Sequence, residues 1–173
     1  MMQSYDTFHF VKSKLDIREF EDKPVPFEVI LKILDAARYT GSGKNTQHWR
    51  FILVRDKENL KKLAEDSITG KWAINGAFAV IILTNPTYPF HLLDAGRVVQ
   101  SMQIVAWSLG VASGIFTGIV HDKLRKDFNI PNDLYPSAVV VFGYPKKKII
   151  GKKNRKKLEE LVFQEKFGNP LLV

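Results

Sequence analysis

The chain contains no cysteine, which excludes disulfides, thiol nucleophiles and cysteine-ligated metals. No run approaches the ~18–20 apolar residues of a membrane span, and Met1-Met2-Gln3 leads into no hydrophobic signal region. A cytoplasmic protein with no membrane association is the expectation. The four histidines, His9, His48, His91 and His121, show neither HxH nor HExxH spacing, so no metal site is expected. His91 and His121 read instead as helix starts. A GxSxG elbow is also missing, which leaves the serines without support as nucleophiles. An enzyme with so empty an inventory supplies binding and electrostatics, while a cofactor supplies the reactivity.

What is present points to one folded domain. The 173 residues suffice for a real core, and 45% hydrophobic with 12% aromatic content argues against disorder. The net charge of +8 is localised. Lys146 to Lys157 holds eight Lys and Arg and no acid; removing those eight from 26 leaves 18, equal to the number of Asp and Glu. Such a run can clamp phosphate or form a nucleic-acid patch, and it can equally be a solvated loop. It has no interleaved aromatics, which counts against single-strand nucleic-acid binding.

Helical and extended patterns alternate along the chain. A helix is predicted over about Pro26–Arg38, with Ile30, Ile33, Leu34 and Ala37 on one face. Further helices are predicted around Glu58–Asp66 and over about Leu92–Leu109, the latter ending at Gly110. Strands are predicted at Arg50–Val54, Phe78–Thr84, near Val111–Phe116 and at Ala138–Phe142. This interspersion suggests a three-layer sandwich around a mixed sheet in a single domain, 1–173. Its end, residues 158–173, is an apolar tail that has to cover its own domain or a second subunit.

Between the first helix and the first strand lies Thr40-Gly41-Ser42-Gly43-Lys44-Asn45-Thr46-Gln47-His48-Trp49. Gly41 to Lys44 imitates the end of a phosphate-cradling P-loop, but Arg38 stands where its first Gly belongs and Asn45 where Ser or Thr belongs. The order is also helix-loop-strand rather than strand-loop-helix. Asn45 and Gln47 are suited to hydrogen-bond a flat polar ligand; a plain helix-ending turn is the alternative.

Lys14-Leu15-Asp16-Ile17-Arg18-Glu19-Phe20 followed by Pro24-Val25-Pro26 is similar to RRSxRxF, the opening of the FMN-dependent nitroreductase family. The loop Ser42 to Phe51 resembles that family's SxxNxQPWxF. Asp94-Ala95-Gly96, Gly110-Val111, Gly143-Tyr144-Pro145, and Lys153-Asn154-Arg155 with Leu158-Glu159-Glu160 (compare KxRxPLEE) follow in the family's order. The resemblance implies an α+β fold, a three-layer α/β/α sandwich with a mixed, mainly antiparallel central sheet. It also implies a homodimer with FMN at the subunit interface, and residues 158–173 packing on the partner.

By the same resemblance, Lys14, Lys153 and Arg155 bind the FMN phosphate, and Arg18 meets the pyrimidine edge of the flavin. Gly41, Ser42, Gly43, Asn45 and Gln47 form a loop that reaches the partner's flavin. Ile115, Phe116, Thr117 and Gly118 lie over the ring, with the Thr117 amide nearest N5; Lys71 adds a further contact. No catalytic side chain is implied, because hydride from NADH or NADPH passes to flavin N5 and on to a nitroaromatic, quinone or similar acceptor.

Leu15 and Asp16 depart from the pattern, replacing Arg or His and Ser and setting an acid beside the phosphate. An ionised Asp16 cannot donate to phosphate, so it is expected to accept from ribityl hydroxyls. Asp16 also resembles the flavin-destructase branch, which fragments reduced FMN with oxygen, and that activity is the alternative. A small basic nucleic-acid-binding protein is the alternative from another class. His48 replaces the usual Pro, and Ser101 a frequent Asn.

Overall fold

The structure, a computed structural model, describes residues 7–148 and 153–172. Residues 149–152 of the basic run, Val173 of the tail, and Met1-Met2-Gln3 lie outside the described residues. The helices are α1 (Thr7–Ser13), α2 (Phe27–Arg38), α3 (Lys57–Glu65), α4 (His91–Ser108) and α5 (His121–Asp127). The strands are β1 (Arg50–Val54), β2 (Phe78–Thr84), β3 (Ala112–Phe116) and β4 (Tyr135–Gly143).

The strands form one sheet in the order β1-β2-β4-β3, every neighbouring pair antiparallel. The parallel part of the expected mixed sheet is a single bridge, Asp16 to Ser113. β2 is buried at all seven positions, as a central strand covered on both faces must be. Because side chains alternate, Phe78, Val80 and Ile82 join one core and Ala79, Ile81 and Leu83 the other. The first core is roofed by Ile30, Ile33 and Ala37 of α2 and Val98, Met102 and Ala106 of α4. The second is roofed by Leu60 and Leu63 of α3 and Leu124 of α5. The result is the expected three-layer α/β/α sandwich.

Local signals explain the ends of several elements. Pro26 precedes the first residue of α2, and its carbonyl accepts from the Ile30 amide. Asp56 caps α3, its carboxylate accepting from the Glu58 and Asn59 amides. α4 stops at Gly110, whose φ of 76° favours glycine, and the Val111 amide returns to the Ala106 carbonyl.

Two points differ from the sequence reading. α1 was not foreseen, because it buries none of its residues and so has no inward periodicity to detect. β4 begins three residues earlier than Ala138, since pairing continues past a register shift opposite Ile82 and Leu83. Within the protomer the tail leaves Leu161 59% exposed and Phe167 90%, with the Phe163 and Phe167 rings 4.4 Å apart and a Phe163–Pro170 bridge.

Candidate functional site

The segment 14–20 runs along β3 and the end of β4. The Ile17 amide donates to the Ser113 carbonyl at 2.8 Å, Phe20 bridges to Pro145, and the Lys146 amide donates to the Glu19 carbonyl. The close approach requires Gly114, where a Cβ would stand 2.5 Å from the Ile17 carbonyl oxygen. An open cavity of about 380 Å³ results, lined by Leu15 to Glu19 with Pro145, Lys147 and Lys148.

Lys14 is only 7% exposed. Its Nζ donates to Asp16 Oδ1 at 2.8 Å and to Gln103 Oε1 at 2.9 Å. Gln103 Nε2 donates to the same Asp16 Oδ1 at 3.0 Å and to Ser113 Oγ at 3.1 Å. Lys14, Asp16 and Gln103 therefore form a closed triangle. Burial raises the pKa of Asp16, but hydrogen bonds and charge from Lys14, a hydrogen bond from Gln103 and the Arg18 charge outweigh it and hold the carboxyl below its ordinary value. The expectation that Asp16 would be available as an acceptor meets this structural fact: two protein donors already use it.

Lys153 joins the cluster from across the chain, donating to the Val11 carbonyl at 2.6 Å. Burial lowers its pKa, and the charges of Arg155 and Lys14 lower it further against the opposing pull of Asp16. The guanidinium of Arg18 lies 5.6 Å from the centre of the Trp72 ring. Trp72 in turn meets Phe116 of β3 edge-on at 5.9 Å. The fold thus gathers Lys14, Asp16 and Lys153 near the start of β3, where Asp16 bridges to Ser113, with Leu15 and Arg18 on the adjoining cavity wall and Arg155 close enough for its charge to act on Lys153.

In the stretch Ile115 to Gly118, the Phe116 side chain is buried in the second core, so only its backbone is available there. Thr117 is exposed, and the Gly118 carbonyl accepts from the Ile68 amide. Lys71 turns away, donating to the Glu65 carbonyl at 3.3 Å.

The loop Gly41–Gln47 is not part of this gathering. It sits on the N-terminal half of α4, where the Gly43 amide donates to Asp94 Oδ2 at 2.9 Å. Phe90 fills the space a Cβ on Gly43 would need, with ring carbons 2.5–2.8 Å away. Lys44, Asn45 and Gln47 all have positive φ, near 50°, and the Gln47 amide donates to Ser42 Oγ. Asn45 and Gln47 are exposed. Asp94 and Gln103, which seat the two clusters, are about 13 Å apart along α4.

Sequence reasoning missed Gln103 altogether and treated Asp94 and His48 only as pattern positions. The available signal was polar residues on an inward helix face: Asp94 is 1% exposed and Gln103 3%.

The nitroreductase family model matches residues 11–85 and 75–144. A protein of Methanothermobacter thermautotrophicus, provisionally named an NADH dehydrogenase/NAD(P)H nitroreductase, is 32% identical over 149 residues, covering 81% of this chain and 78% of its own. The solved FMN-dependent nitroreductase from Clostridium difficile superposes with a TM-score of 0.86 at 23% identity, covering 92% of this chain and 99% of that one. A solved oxidoreductase containing FMN gives a TM-score of 0.81 at 26% identity, with 92% of each chain covered. Sequence and fold agree, and the chain belongs to the nitroreductase family.

Proposed function

We propose that the chain is an FMN-dependent oxidoreductase that uses NADH or NADPH to reduce nitroaromatic, quinone or similar acceptors. The observation that carries this reading is the gathering of Lys14, Lys153 and Arg155 about Asp16, which lines a cavity together with Arg18. Several cations and few acids suit a phosphate, and a guanidinium stacked near Trp72 suits the edge of a flat ring. The names of the relatives support the same cofactor and donor. The donor set fits FMN, with Asp16 and the Lys147-paired Glu19 as the acids on the cavity wall.

Bound FMN would supply the redox chemistry, taking hydride at N5 and passing electrons to the acceptor in a ping-pong exchange. The protein's own part is placement. Lys153 and Arg155 hold the phosphate as point charge and fork. Arg18 puts a fixed positive charge at the pyrimidine edge, where negative charge accumulates on reduction. The backbone of Ile115, Phe116, Thr117 and Gly118 would hold the ring, and the Thr117 amide would be the donor offered to N5.

The active unit in this reading is a homodimer. Gly41, Ser42, Gly43, Asn45 and Gln47 are too far along α4 to serve their own protomer's cluster, and they serve the partner's flavin. The exposed tail residues Leu161, Phe167 and Leu172 are covered by the second subunit.

Asp16, which lines the cavity, favours a second reading, oxygen-dependent fragmentation of reduced FMN. An absorption spectrum of the purified protein tests both readings. Flavin bands are expected; a colourless preparation that FMN cannot reconstitute overturns them. Reductant and air separate the two, since only the second yields flavin breakdown products.

A further inference from the structure

Lys14 stands where the phosphate needs a cation, but its charge is already spoken for. Of the three N–H donors of its ammonium group, one goes to Asp16 and one to Gln103. Gln103 cannot turn aside without giving up its own bonds to Asp16 and Ser113. Asp16 is itself anchored through the backbone by its bridge to Ser113. The triangle is preformed and half-covered: the Lys14 side chain is 9% exposed and that of Asp16 53%. A phosphate entering beside it meets a carboxylate at the mouth and a lysine held behind it.

We propose that Asp16 sets the phosphate selectivity of the site, acting as a built-in counter-ion that competes with the flavin phosphate for Lys14. The inference rests on the flavin reading above and deepens it. Lys153 and Arg155 remain as the phosphate's main partners, opposed by the Asp16 charge. The consequence is a chain that prefers FMN to riboflavin only weakly and exchanges its flavin readily. An arrangement with a neutral side chain at position 16 would instead hold FMN through three cations. Because Asp16 touches Lys14 directly, the effect is electrostatic and strongest at low salt.

The test compares FMN and riboflavin affinity by fluorescence titration of the full chain freed of flavin. Asp16→Asn is expected to tighten FMN by about tenfold while changing riboflavin by less than about twofold. Asp16→Ser is expected to do the same. Lys14→Met is expected to cost FMN binding severalfold in the Asp16→Asn background. An unchanged ratio of FMN to riboflavin affinity in both Asp16 variants overturns this inference alone. Failure of the parent and the variants to bind either flavin overturns the flavin reading, and this inference with it.

Discussion

The imidazole Nε2 of His48 and Oδ2 of Asp94 meet at 3.2 Å, with both side chains at most 2% exposed. The Asn85 amide donates to His48 Nδ1 at 3.2 Å, so the ring proton sits on Nε2 and is donated to Asp94. The same carboxylate oxygen takes the Gly43 amide, and Oδ1 takes Arg97 Nη1 at 3.3 Å. Asp94 lies in the first turns of α4, where the helix field favours negative charge. One buried acid thus holds the glycine loop, the approach to β1 and the end of β2 together. Pro, the usual residue at position 48 of the resemblance, has no side-chain hydrogen bond to offer; His48 adds one.

Asp94→Ala should leave the Gly43 amide and the His48 ring without an acceptor inside the protein. A loss of roughly 2–4 kcal/mol is expected, read by urea denaturation, with faster amide exchange confined to residues 41–48. Wild-type stability together with unchanged exchange in the loop would show that Asp94 does not seat it.

Asp66 should make the protein less stable as pH rises. Burial raises its pKa from 3.8 to about 6, and the nearby Asp127 charge adds to the effect while Lys123 opposes it. Its Oδ2 meets no ordinary donor among the described residues, and a hydrogen bond to the Asp127 carboxylate, which forms only when one of the two carries a proton, adds to the shift. The folded pKa exceeds the unfolded one, so the folded state binds more protons between these values. Stability from this group is present below about pH 4 and lost by about pH 6–7, a drop of at most roughly 3 kcal/mol. Asp66→Asn should flatten that part of the profile and raise the melting temperature at pH 7.5. A wild-type slope in the variant between pH 4 and 7 would refute the assignment.

Arg18→Ala should weaken flavin binding or slow its reduction with little loss of stability. Arg18 is exposed, and its contact with the Trp72 ring is worth only about 0.5–1 kcal/mol. Stopped-flow reduction by NADH and NADPH is the measurement; normal binding and normal reduction together would remove Arg18 from its place at the pyrimidine edge.

Truncation after Lys157 should weaken the proposed dimer, since it removes Leu161, Phe163, Phe167 and Leu172, which find little cover within the protomer. Sedimentation over a range of concentrations should show dissociation in the truncated chain. A dimer as tight as that of the full chain would exclude the tail from the interface.

The layers of this fold are written in local sequence pattern. Ile30, Ile33 and Ala37 recur at helical spacing, and Phe78 to Thr84 is apolar without interruption; both patterns are local records of which face is buried. Motif order likewise pointed to the family, and through that resemblance to Lys153 and Arg155 as expected phosphate ligands. How the polar residues pair follows from long-range packing instead. Lys14 and Gln103 are 89 positions apart, and His48 and Asp94 46 apart. Their meeting depends on how α4 lies across the sheet, which no local period encodes. The same packing turned Asp16 from a missing ligand into the partner of Lys14, and it separated the glycine loop from the cation cluster along α4. Periodicity reports burial one residue at a time, whereas a hydrogen bond is a property of two surfaces brought together.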